Sequence, residues 1–177
     1  MGKRRSLHTP GVTHELTFST YHRERVLGFA ACAEAFLATL AEATQEKEWH
    51  LWAYVVMPDH VHLLLTPQDD QTIAEVLKRI KMPSSFAIWT LLEKADPAMC
   101  ERLRVINDRG RPERRIWQRG GGYDRSIYGD DVKTLAINYI HNNPGKKGLV
   151  ERAEDWPYSS LGYFEGLQSI CLTSPWP

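Results

Sequence analysis

Residues 14–22, HELTFSTYH, alternate apolar and polar positions and are rich in threonine and aromatics, the period-two pattern of a half-buried strand. Over 29–48, FAACAEAFLATLAEATQEKE, apolar positions recur at three and four among strong helix formers, which predicts a first helix. WHLWAYVV (49–56) and HVHLLLTP (60–67) predict two further strands. Met57, Pro58 and Asp59 between them suit a tight hairpin turn. DDQTIAEVLKRIK (69–81) starts a second helix, which Pro83 is expected to kink or end before SSFAIWTLLEK (84–94) resumes. NDRGRPERR (107–115) reads as a flexible, exposed loop, and RIWQRGGGYDRSIY (115–128) as a fourth strand interrupted at Gly120, Gly121 and Gly122. DDVKTLAINYIHNN (130–143) is a third helix with Asp130 or Asp131 as N-cap, stopped by Pro144, Gly145 and Gly148.

The order β-α-β-β-α-β-α predicts an α+β, ferredoxin-like fold. A four-stranded antiparallel sheet would be covered by the two main helices on one face, with an extra carboxy-terminal helix. At 177 residues the chain fits a single domain over 1–163 with a carboxy-terminal tail over 164–177, and it shows no repeats.

Composition, 42% hydrophobic and 25% charged, is that of an ordinary soluble domain. No apolar run is long enough to cross a bilayer, and MGKRRSLHTP has charge without a following hydrophobic stretch, so a cytoplasmic location is expected. Cys32, Cys100 and Cys171 are odd in number and far apart, which fits reduced structural thiols. Net charge is zero, but its distribution is uneven: residues 101–125 carry eight arginines against four acids, and Lys3, Arg4 and Arg5 add a basic amino terminus. Such a patch can bind nucleic acid, or be a solvated face.

VVMPDHVHLLL (55–65) sets two imidazoles two positions apart, so His60 and His62 share one face of a strand while Val61, Leu63 and Leu65 share the other. The pair is either a half-buried strand's solvated histidines or part of a metal site. On the last helix Val132, Leu135, Ala136, Tyr139, Ile140 and Asn143 fall near one stripe that would pack on the sheet. Tyr139 and Asn143 lie one turn apart, a phenol beside an amide in a stripe that should be apolar.

MPDHVH, IWQRGGGYD and YIHNNPGKKGLVERAEDWPYSS, in that order, resemble the REP-associated tyrosine transposases of the HUH superfamily of single-tyrosine transposases, whose His-hydrophobic-His signature is here His60-Val61-His62. The resemblance runs from the first strand to about Tyr163. It implies a metal-dependent endonuclease and strand transferase that cuts single-stranded DNA beside hairpins through a 5′-phosphotyrosine intermediate. By position it implies Tyr139 as nucleophile and His60, His62 and Asn143 as ligands of Mg²⁺ or Mn²⁺. Asp124 would orient a histidine or act indirectly on the metal, unless it is a turn carboxylate. Arg115, Arg119 and Arg125 would hold phosphates, and Trp117 would stack on a base or simply pack. Trp156 reads as an anchor for the tail. His141, two residues beyond Tyr139, should point elsewhere, and Tyr123, Tyr128, Tyr158 and Tyr163 are weaker candidates for the nucleophile.

The chain departs from the family pattern at Gly145, where Val is common, and at Ile127-Tyr128, where Ile-Arg is common. These changes bear on the helix end and on a phosphate contact. The expected partner is single-stranded or hairpin DNA, bound by a monomer or a homodimer, with no membrane. Two other readings stay open: a domesticated DNA- or RNA-binding protein that keeps the fold without cutting, and a small metalloprotein.

Overall fold

The computed structural model describes residues 10–47 and 49–164. The basic amino terminus, Cys171 and the tail beyond residue 164 lie outside the described residues. Strands β1 (Thr13–Ser19), β2 (His50–Met57) and β3 (His60–Thr66) fall where alternation and aliphatic runs predict them. Helices α1 (Ala30–Lys47) and α2 (Ile73–Ala95) are followed by a short α3 (Pro97–Arg102). Strands β4 (Arg104–Ile106) and β5 (Pro112–Arg114) pair with each other, and β6 (Tyr123–Ile127) joins the main sheet. Helix α4 (Asp130–His141) runs into a helical turn, α5 (Asn143–Lys146), and a last turn, α6, spans Leu161–Phe164.

The main sheet has the order β2-β3-β1-β6 with every neighbour antiparallel, the ferredoxin-like arrangement. Because side chains alternate, Leu16, Phe18, Val61, Leu63 and Leu65 enter one core with Phe36, Leu40, Val76, Ile80 and Trp89 of α1 and α2. Ala53, Val55, Met57, Leu64 and Ile127 enter a second, smaller core beneath Ala136, Ile137 and Ile140 of α4. The sheet is thus covered on both faces. His60 and His62 share their face with Leu64, under α4 and away from the two main helices.

Three expectations are corrected in part. Of the two outcomes expected at Pro83, the helix does not end there: α2 is continuous to Ala95. Residues on both sides of the proline, Ile80, Ser84, Ile88 and Trp89, are buried, so packing holds the helix together across the turn where Pro83 lacks an N–H, and the hydroxyls of Ser84 and Ser85 donate to the carbonyls of Ile80 and Lys81 at 2.7 and 2.6 Å. Second, 107–115 is no open loop. Asn107 Oδ1 accepts the backbone N–H groups of Arg109 and Arg111, closing the tip of the β4–β5 hairpin. Third, Gly129 is the N-cap residue of α4, with Asp130 and Asp131 in the first turn, where carboxylates favour the positive end of the helix dipole.

Candidate metal and nucleophile site

Pairing of β1 with β3 sets Thr17 opposite His62 and Ser19 opposite His60. Thr17 Oγ1 lies 2.8 Å from His62 Nδ1, and Asp59 Oδ1 accepts from His60 Nδ1 at 2.6 Å. The second oxygen of Asp59 accepts from Arg23 at 3.1 Å. Burial, the largest influence on Asp59, raises its pKa, but hydrogen bonds and charge from His60 and Arg23 outweigh it and hold the carboxyl below its usual range. An ionised Asp59 makes Nδ1 of His60 the N–H donor. That makes Nε2 the ring atom for a ligand, the arrangement by which an outer carboxylate orients a metal-binding imidazole.

The two rings stand 4.9 Å apart, centroid to centroid, and His62 meets the Tyr139 ring edge-on at 5.8 Å. His62 is 6% exposed, and this burial first, with repulsion from His60 and Arg23, pushes its pKa down to about 4. A neutral imidazole is the form that binds a metal.

Tyr139 is 44% exposed rather than packed in the stripe. Helix α4 is rotated so that Ala136, Ile137 and Ile140 face the core, and Leu135 and Tyr139 sit on its exposed flank. The ammonium of Lys146 stands 5.3 Å from the Tyr139 ring centre. Asn143 is buried and donates its amide NH₂ to the Tyr139 carbonyl at 3.0 Å, so its oxygen is the atom available to a ligand. The helical turn continues through Gly145. His141 is turned away, buried against Ser160 Oγ at 2.8 Å.

Among the described residues no three His, Cys, Asp or Glu side chains gather as a metal site. Two imidazoles with anchored Nδ1 atoms and an amide oxygen still make a donor set suited to a divalent cation that keeps open positions. Cys32 and Cys100 are free and buried in the other core, with no part in this site.

A groove of about 430 Å³ lies beside His62 and Tyr139, lined also by Glu15, Thr17, Tyr123 and Arg125. Burial raises the Glu15 pKa, and Arg125, 3.6 Å away, opposes that shift. Arg125 thus stands in the site, with its side chain 51% exposed. The other candidates for DNA contact do not. Trp117 is 6% exposed, its ring edge-on to Phe18 and Phe36 at 5.0 and 5.6 Å and its Nε1 donating to Ser84, so it packs and does not stack on a base. Arg115 lies over Tyr21 and pairs with Glu113, its side chain 12% exposed. Arg119 is exposed but paired with both oxygens of Asp108.

Asp124 does orient a histidine, but His14, at 2.7 Å. Its register opposite Leu16 places it on the face of the main core, across the sheet from the His60–His62 pair. Sequence reasoning missed Asp59, Thr17, Arg23 and Lys146. Asp59 adjoins the histidines and was available as a signal, whereas Thr17, Arg23 and Lys146 arrive through strand register and helix rotation.

The family model "Transposase IS200 like" matches residues 10–143. A curated REP-associated tyrosine transposase of Haemophilus influenzae is 35% identical over 110 residues, 62% of this chain. The match spans 57% of that relative's length. A solved REP-associated tyrosine transposase bound to a REP hairpin superimposes with a TM-score of 0.70 at 21% identity, covering 99% of this chain and 93% of the other, and shares the fold. Among the described residues no helix is long and apolar enough to cross a membrane.

Proposed function

The chain belongs to the IS200-like transposase family, and from that premise we infer that it cuts and rejoins single-stranded DNA with Tyr139 as nucleophile. The observation that carries this reading is Tyr139 itself, an exposed phenol edge-on to a buried neutral imidazole at the mouth of a groove that also holds Arg125. Tyr139 Oη attacks phosphorus, the bond from phosphorus to the 3′-oxygen breaks, and the phenol's proton ends on that oxygen. The product is a 5′-phosphotyrosine link and a free 3′-hydroxyl. Because one phosphate ester replaces another, a second 3′-hydroxyl can reverse the step without ATP.

A Mg²⁺ or Mn²⁺ ion held by His60, His62 and the Asn143 amide oxygen would neutralise and polarise the scissile phosphate. Asp59 and Thr17 keep the two rings in position, and Arg125 binds a neighbouring phosphate. Tyr139 and His62 meet within the chain. Hairpin DNA of the REP kind is the substrate class, by likeness to the relatives above.

The test is a denaturing gel of the protein with labelled single-stranded hairpins from the flanks of its gene, with Mn²⁺ or EDTA, beside Tyr139→Phe. A metal-dependent, slow-migrating adduct absent from the variant is expected. Hairpins that bind without any adduct would leave a DNA-binding protein that does not cut.

A further inference from the structure

The His60–His62 pair is flanked at both ends. Tyr139 lies at the His62 end. At the His60 end, beside the hairpin turn, is a second pocket of about 260 Å³ lined by Arg23, Arg25, Pro58, Asp59, His60 and Lys147. Its cations come from separate elements. Arg23 and Arg25 follow β1, and Lys147 follows the α5 turn. His22 and Arg23 have left-handed backbone angles, φ 51° and 54°, uncommon for residues with side chains. This turn brings Arg23 to Asp59. Arg25 and Lys147 are exposed and form no ion pair among the described residues, whereas the arginines of the β4–β5 hairpin stem are tied to Glu101, Glu93 and Glu113.

In-line displacement places the leaving oxygen opposite the nucleophile. With the nucleophile at the His62 end, the departing 3′-oxygen points toward His60 and the basic pocket beyond it. We propose that Arg25 and Lys147, with Arg23, form a site for the phosphodiester backbone of the strand segment that ends in the free 3′-hydroxyl. It retains that segment after cleavage and receives the incoming 3′-hydroxyl strand in rejoining. The groove beside Tyr139 holds the segment bonded to the tyrosine. This assignment rests on the tyrosine-cleavage reading and adds its polarity. Cation-to-phosphate attraction carries no base information, so the site would grip any sequence.

The experiment uses covalent adducts of the wild-type protein and of Arg25→Ala/Lys147→Ala, challenged with a 5′-fluorescein oligonucleotide ending in a 3′-hydroxyl and matching the segment released in the first cleavage. The concentration giving half-maximal joining should rise about tenfold in the double variant, with the change absent from the limiting rate. Its logarithmic salt dependence should flatten by about 1.4, two phosphate contacts at roughly 0.7 each for a single strand. Arg25→Lys should keep most of the effect of the wild-type residue, because the attraction is to charge. An unchanged half-saturating concentration, or a loss confined to the limiting rate, overturns the pocket while leaving the tyrosine reading intact. A wild-type protein that forms no adduct overturns both.

Discussion

Asp59 and Thr17 each anchor one Nδ1 of the imidazole pair, and in the proposed metal site they would act through the two rings. Replacing such outer partners of a metal site commonly costs 10- to 100-fold in affinity. Asp59→Asn should therefore weaken Mn²⁺ binding about tenfold by titration calorimetry while the circular dichroism spectrum stays unchanged. Trp117 is expected to answer a different assay. Truncating a buried aromatic that packs between Phe18 and Phe36 removes core volume, so Trp117→Ala should lower unfolding stability by about 3–5 kcal/mol. An unchanged denaturation midpoint with weakened DNA binding would return Trp117 to the interface. His141, held by burial at a pKa of about 4 against an ordinary 6.5, gives a signed pH dependence. Between pH 6.5 and 4 the unfolded chain takes up a proton on this ring and the folded chain does not. Stability contributed by the neutral ring is thus lost as the pH falls through that window, and His141→Gln should flatten the slope of unfolding free energy there.

At the scale of elements, strands and helices with a clear period were legible in the sequence, and those set by a few side-chain hydrogen bonds were not. The alternation along β3 set His60 and His62 on the strand face opposite Val61, Leu63 and Leu65, and that is the face that turns away from α1 and α2. The continuity of α2 past Pro83 rests on buried residues to either side, and the arginine-rich hairpin on the Asn107 side chain, which acts on backbone groups within a few residues that apolar periodicity does not record. The glycine run before β6 has a specific steric reason. Gly122 has φ 76°, and a Cβ there would lie 2.1 Å from the Thr17 carbonyl oxygen. Lys81 donates to the neighbouring Gly120 carbonyl at 2.9 Å and closes the loop against Phe18. Gly122→Ala should cost about 2–4 kcal/mol in chemical denaturation, through backbone strain and displacement of β1. It should also weaken Mn²⁺ binding, since Thr17 holds His62. The carboxy-terminal segment was legible at Trp156, whose Nε1 donates to the Val56 carbonyl at 2.9 Å beside the bridge between Val55 and Ser159.

For the whole molecule, zero net charge conceals a division of labour among its basic residues. The arginines that made 101–125 look like a nucleic-acid patch are largely paired: Arg102 with Glu24, Arg104 with Glu101, Arg114 with Glu93, Arg115 with Glu113 and Arg119 with Asp108. The cations placed around the histidines, Arg25, Arg125, Lys146 and Lys147, come from three parts of the chain that converge only on folding. Of that arginine run only Arg125 lines the groove beside His62 and Tyr139, while the order of three motifs pointed to the right family. The reading stands or falls on which atom carries the DNA. Peptide mapping by mass spectrometry of the nuclease-trimmed adduct locates it directly. The account predicts a phosphonucleotide on Tyr139. A phosphonucleotide on Tyr123, which lines the same groove, or a cleaved strand with no covalent protein product, would contradict it.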